Sequence, residues 1–152
     1  MTAVTGSDLY SQAWKVTYNV ISGNVTDPVS RGGSKWIFSD FPEIQKGAED
    51  DFPGYPIITI DNFSNDTELP TFQMGPRDNM LATTITVHTK TRQQIDPINS
   101  DIYSAFSIAR SSMIDSGLKP VDYTTEPTDT ITLDRNNRIH IKDNILTLRC
   151  QV

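Results

Sequence analysis

The segment 81–91, LATTITVHTKT, constrains the fold of this chain more than any other. Successive side chains of an extended chain point to opposite faces, so Leu81, Thr83, Ile85, Val87 and Thr89 lie on one side and Ala82, Thr84, Thr86, His88 and Lys90 on the other. The first set is apolar or β-branched and the second is wetter. A strand of this kind belongs in a sheet with one face buried and the other near water, as in antiparallel sheets with helices on a single side.

Two stretches supply helices for that side. In residues 7–22, Leu9, Ala13, Val16 and Val20, joined by Trp14 and Ile21, recur at helical spacing, with Ser7 and Asp8 as suitable caps and Gly23 as a suitable stop. Further on, Asp96 followed by Pro97 fits an N-cap and first helical position. Ile98, Ile102, Ala105, Phe106, Ala109 and Met113 then mark an amphipathic stripe that ends before Gly117.

The remaining apolar runs are strand-like. Residues 55–60 form a β-branched run in which Pro56 is tolerable only near the start or on an edge. Val121 and Tyr123, Ile131 and Leu133, and Ile139 and Ile141 suggest short antiparallel strands. Asp143 and Asn144 suit a tight turn into a last strand, where Leu146, Leu148, Cys150 and Val152 alternate with polar residues. Between these elements lie two irregular stretches. Residues 24–54 carry prolines and glycines around one brief strand at Trp36, Ile37 and Phe38, and residues 62–79 are polar, with Phe63, Leu69, Phe72 and Met74 at no regular period. The order lacks a βαβ alternation and internal repeats. It predicts a single α+β domain over residues 1–152: a mainly antiparallel sheet, two helices on one face, and long loops.

At 152 residues such a domain buries roughly two-thirds of its unfolded surface. The net charge of −6 and pI near 4.7 produce a field that repels phosphate backbones and anionic lipid, which argues against a general nucleic-acid or membrane-surface binder. Cys150 is the lone cysteine, so neither an intrachain disulfide nor a cysteine-based zinc site can form within one chain. No stretch has the apolar length of a membrane span or the pattern of a secretory leader, so the chain reads as soluble and unexported. On that reading the Asn-x-Ser/Thr sequences at Asn24, Asn62 and Asn65 are chance matches.

The candidates for chemistry each meet a simpler explanation. His88 and His140 sit in predicted strands and would need to meet across the sheet to share a metal, but no carboxylate stands at ligand spacing beside either. Cys150 alternates with Leu146, Leu148 and Val152 and is expected to be a buried structural thiol. Gly32, Gly33, Ser34 and Lys35 lack the spacing of a phosphate loop. Asp61, Asp66 and Glu68, with Asn62 and Asn65, supply oxygen ligands suited to calcium, yet their spacing is not that of a calcium loop and they read as a solvated loop. Glu43 and the acidic run Glu49, Asp50 and Asp51 are not placed in any pocket by the sequence. No catalytic residue, cofactor or metal site is expected.

The element order resembles that of the tail terminator, or tail completion, proteins that close the tail tube of long-tailed viruses at the head-tail junction. The resemblance rests on the helix at 7–22, the proline- and aromatic-flanked strand at 52–60, the alternating strand at 81–91, the helix at 97–116, the tyrosine-containing segment at 121–125 and the final strand at 145–152. It covers nearly the whole chain by pattern rather than by a signature motif. It implies a structural virion protein, made in the host cytoplasm. Such a protein forms a ring of six identical subunits on the last ring of tube protein and beneath the head-completion or neck proteins. DNA would pass only in transit through the lumen, which the acidic balance would keep from holding it. On this view Trp36, Phe38, Phe63, Leu69, Phe72 and Met74 are candidate anchors for neighbouring subunits, the alternative being loops that fold back onto their own core. A neck adaptor or a tail tube subunit fits the same pattern. A small hydrolase or ion-dependent ligand-binding module using residues 61–68 is the alternative of a different class.

Overall fold

The computed structural model describes residues 9–31, 35–42, 54–65, 78–134 and 137–151. They form an α+β fold with two helices and a seven-stranded, mostly antiparallel sheet. In chain order the elements are α1 (Leu9–Asn24), β1 (Ile37–Phe38), β2 (Ile57–Ile60), β3 (Ser64–Asn65), β4 (Asp78–Thr89), α2 (Arg92–Asp115), β5 (Leu118–Thr125), β6 (Asp129–Asp134) and β7 (Asn137–Gln151). The sheet order is β1-β2-β4-β7-β5, with β3 also on β4 and β6 also on β7. Only the β1–β2 pair is parallel.

The alternation at residues 81–89 is realised in β4. Leu81, Thr83, Ile85, Val87 and Thr89 are all buried, and the residues between them are half-buried. Directly opposite residues of an antiparallel pair share a face, so the ladder with β7 puts Leu148 beside Leu81 and Leu146 beside Thr83 on that buried side. Onto it α1 brings Leu9, Ala13, Val16, Val20 and Ile21, and α2 brings Ile95, Ile98, Ile102, Phe106 and Met113, completing one core. Trp14 ties α1 to the sheet through Nε1, which donates to the Ile60 carbonyl at 2.9 Å.

The structure corrects two expectations. The second helix begins at Arg92, with Thr91 as its N-cap residue, so Pro97 lies inside it and Asp96 is no cap. A proline this near the N-terminus removes one backbone donor. The longer helix in turn buries Ile95 completely, one turn before Ile98, and frees the Asp96 carboxylate to accept from Lys142 Nζ at 2.8 Å. Second, Asp143 and Asn144 make no turn but lie within the unbroken β7. Each has polar partners that let it stay extended. Asp143 accepts from Thr86 Oγ1 at 2.7 Å, and the Asn144 amide donates to the Ile85 carbonyl at 3.2 Å and to Asn99 Oδ1 at 2.5 Å. The helix caps expected at Ser7 and Asp8 lie outside the described residues, and α1 runs past Gly23 to Asn24.

The connection after α1 is held by a buried ion pair. Asp27 Oδ1 accepts from the Val29 N–H and Oδ2 from the Arg31 N–H, both at 2.9 Å, while Arg31 Nε meets Oδ2 at 2.8 Å. The same guanidinium donates to the carbonyls of Gly54 at 2.6 Å and Pro56 at 2.5 Å, so one side chain staples this loop to the entry of β2. Burial on its own pushes the Asp27 carboxyl upward, but the Arg31 side chain, the two backbone N–H groups and the guanidinium charge outweigh it and hold the group below the usual carboxylate range.

Removing one member of a buried pair strands the other's charge. Arg31→Ala is therefore expected to lower the unfolding free energy by roughly 3 kcal/mol, measured by urea titration at neutral pH. Because the folded Asp27 carboxyl titrates below its unfolded value, its stabilisation is present above the ordinary carboxylate range and is lost as pH falls through the folded value. Asp27→Asn should flatten the acid limb of the stability–pH curve below about pH 4 and leave its shape near neutrality unchanged.

Candidate functional site

The residues expected to anchor neighbours separate into three groups. Trp36 is 1 % exposed and Phe63 is 6 % exposed, and both belong to the chain's own core. For these two side chains burial favours the alternative, a loop folded back onto its own core: the Trp36 carbonyl accepts the Ile58 N–H at 2.8 Å, which fastens the segment beside β2. Phe38 is half-buried in β1. Leu69, Phe72 and Met74 lie outside the described residues.

The chemical candidates do not converge. His88 is paired with Ile141 and His140 with Thr89, so the two histidines occupy adjacent rungs and opposite faces of the sheet. His140 Nδ1 meets Thr130 Oγ1 at 3.1 Å. On the face away from the helices, His88 packs against Phe41 with ring centroids 4.8 Å apart, and its Nδ1 lies 3.4 Å from the Ile57 carbonyl. Cys150 is buried, and burial pushes its thiol up and away from the reactive thiolate. Asp61 is exposed, whereas Asp66, Glu68, Glu43, Glu49, Asp50, Asp51 and Gly32 to Ser34 lie outside the described residues. Among the described residues no three His, Cys, Asp or Glu side chains cluster as a metal site, and no helix is long and apolar enough to cross a membrane.

What the fold does bring together is a pair of lateral flanks. On one, α2 runs beside β5, and the two enclose a cleft of about 210 Å³ with Tyr103, Arg110, Val121 and Asp122 on its walls. Tyr103 is 58 % exposed and Val121 40 %. Tyr103 meets Tyr123 edge-on and Phe106 meets it tilted, with centroids 5.7 and 6.0 Å away, and the Tyr123 hydroxyl is buried with no hydrogen-bond partner among the described residues. Desolvation raises that phenol's pKa strongly, so it stays neutral. On the opposite flank, α1 and the β1–β3 side enclose a cleft of about 420 Å³, walled by Tyr10, Trp14, Lys15 and Phe63. Here Tyr10 is 47 % exposed, and Trp14 stacks on Tyr18 at 5.4 Å.

Sequence reasoning missed these flanks. The available signal was that Tyr103, Ile108 and Ile114 stand off the buried stripe of α2, as Tyr10 does on α1, and all four are exposed. Apolar residues scattered singly on a surface carry no message, and only the tertiary arrangement gathers Tyr103 with Val121.

Burial is the main cause that lowers the His88 pKa, and it outweighs the Ile57 carbonyl and the Asp143 charge, which raise it. The folded protein therefore binds this proton less readily than the unfolded chain. The stabilisation is complete above the unfolded value of about 6.5 and is lost as pH falls from there through the folded value. His88→Gln should remove that part of the pH dependence below about pH 6.5, as read from melting temperatures across the acid range.

The chain matches no protein-family model and no curated protein sequence.

Proposed function

We propose that this protein is a structural ring subunit that caps a viral tail tube and joins it to the proteins completing the head. The observation that carries the reading is the pairing of an open sheet edge with exposed apolar side chains on both lateral flanks of a two-layer subunit. A surface patch of this kind is suited to docking another protein. The element order supports the specific role: helix α1, strand β2, the long strand β4, helix α2 and the closing strands β5 and β7 come in the order on which the resemblance to the tail terminator proteins rests. Homo-oligomerisation into a ring, contacts with tail tube and neck proteins, and a place at the head-tail junction of the virion all belong to this proposal.

Such a task requires rigid geometry and self-recognition. A rigid frame is at hand in the helix–sheet core, which is closed by fully buried side chains such as Ile21, Ile85, Ile102 and Leu146. Heterologous contacts between two different flanks generate rings when the rotation closes and open filaments when it does not. That difference separates a terminator from a tube subunit.

Negative-stain images of the purified protein are expected to show closed rings of uniform size, and adding the protein to growing tail tubes should stop their elongation. Open-ended polymers of the pure protein would point instead to a tube subunit. A strictly monomeric protein whose melting temperature rises with calcium, magnesium or zinc would overturn the ring in favour of an ion-dependent binding module.

A further inference from the structure

The two lateral flanks stand at the same height of the sheet. Tyr123 of β5 is opposite Leu146, which is itself opposite Thr83 of β4, while the Asp61 N–H at the other side donates to the carbonyl of Thr84 at 3.0 Å. The α2–β5 cleft and the α1–β1/β3 cleft are thus on neighbouring rungs at opposite edges. A rotation about an axis parallel to the strands preserves that height, so the flank of one copy meets the opposite flank of the next without sliding along the strands.

The charges on the flanks are opposed. Arg110 lines the α2–β5 cleft, and Lys119 stands exposed on β5 with Ile114 beside it. Neither cation has an ion-pair partner among the described residues. On the other flank, Asp40 and Asp61 are exposed and directly adjoin Ser39 and Asn62, which line the second cleft. The pattern also holds with signs reversed, since Asp122 lies in the first cleft and Lys15 in the second. Among the described residues the strand β5 is hydrogen-bonded to β7 alone, which leaves its outer backbone groups facing no other described strand.

We infer that the occupant of the α2–β5 flank is the α1–β1/β3 flank of a second copy of this chain. Tyr103 and Val121 form the apolar centre of the contact, against the cleft of Tyr10 and Trp14. Arg110 and Lys119 face Asp40 and Asp61, and Asp122 faces Lys15. The contact is heterologous, so each added copy presents a fresh flank until the ring closes. The inference rests on the ring reading for the identity of its occupant, but its residues come from this fold.

The test is charge reversal followed by mixing. R110E/K119E and D40K/D61K alter exposed residues, and circular dichroism and melting curves should show both variants folded. In native mass spectrometry and sedimentation, each variant alone is expected to associate at least about tenfold more weakly than the wild type, because like charges then oppose each other across the contact. An equimolar mixture should regain wild-type association as an alternating assembly, since both kinds of junction are again complementary. Tyr103→Glu should weaken association in either background. A wild type that forms rings whose variants associate unchanged, or whose mixture fails to recover, overturns this docking while leaving the ring reading intact. A wild type that remains monomeric at every concentration overturns the docking too, and the tube-elongation assay then decides the capping role separately.

Discussion

The rest of the structure depends on the ladder between β4 and β7. It runs without interruption from Asp78 opposite Gln151 to Thr89 opposite His140, and every other strand pairs with one of these two or with a strand that does. A slip of one residue would carry Leu146, Leu148 and Cys150 to the outer face and bring Ile145, Thr147 and Arg149 inward, placing a guanidinium against α2. Polar side chains reinforce the register at mid-strand. Thr86 holds Asp143 on the outer face, and on the helix side Asn144 reaches both the backbone of β4 and Asn99 of α2. The Asn144 Oδ1 atom is buried without a partner. Burial of an unpaired acceptor costs free energy, and here the same amide ties three elements in one alignment.

A second constraint acts where the apolar pattern is thin. Among the described residues between α1 and β2 the core takes Val25, Trp36 and Ile37, and Arg31 adds a polar tie by satisfying a carboxylate and two backbone carbonyls that are distant in sequence. Its planar, many-donor head suits this work better than a lysine ammonium would. The clamp grips the backbone on either side of Tyr55, whose ring meets Phe41 at 6.2 Å on the outer face beside His88. The outer face is therefore covered at one end by aromatic groups, while Ile131 and Ile145 elsewhere on it stay partly exposed.

Legibility in the sequence followed the strength of local periodicity. The strict alternation at residues 81–89 identified both the strand and its buried face, and the stripe from Ile98 to Met113 identified α2 and its inward side. The start of α2 was obscured because Asp-Pro is a strong local signal for a helix beginning, whereas the burial of Ile95 and the Lys142 contact are tertiary. The continuity of β7 was hidden for the same reason: Asp143 and Asn144 favour turns unless distant groups satisfy them. The two-residue strand β3 has no period to detect. Of the anchors inferred from isolated aromatics, Trp36 and Phe63 were absorbed by the core. The flanks depend on side chains that are unremarkable in sequence and meet only after the sheet has set its register.

The pairing of β7 with strands on both sides has a kinetic consequence. Its contacts with β6 are local, with Asp134 paired to Asn137, and a hairpin of this kind closes in microseconds. Its contacts with β4 span the whole of α2 and the hairpin, and the entropy of closing so long a loop delays them. Folding should thus proceed from the C-terminal hairpin and α2 toward β4, with the other edge of β7 bare in the interval. Charged and polar side chains recur along β7, at Arg138, Lys142, Asp143, Asn144 and Arg149, and make its bare edge a poor template for pairing with the wrong chain. Asp143 and Asn144, which align the finished sheet, are thus among the side chains expected to guard it against mis-assembly on the way.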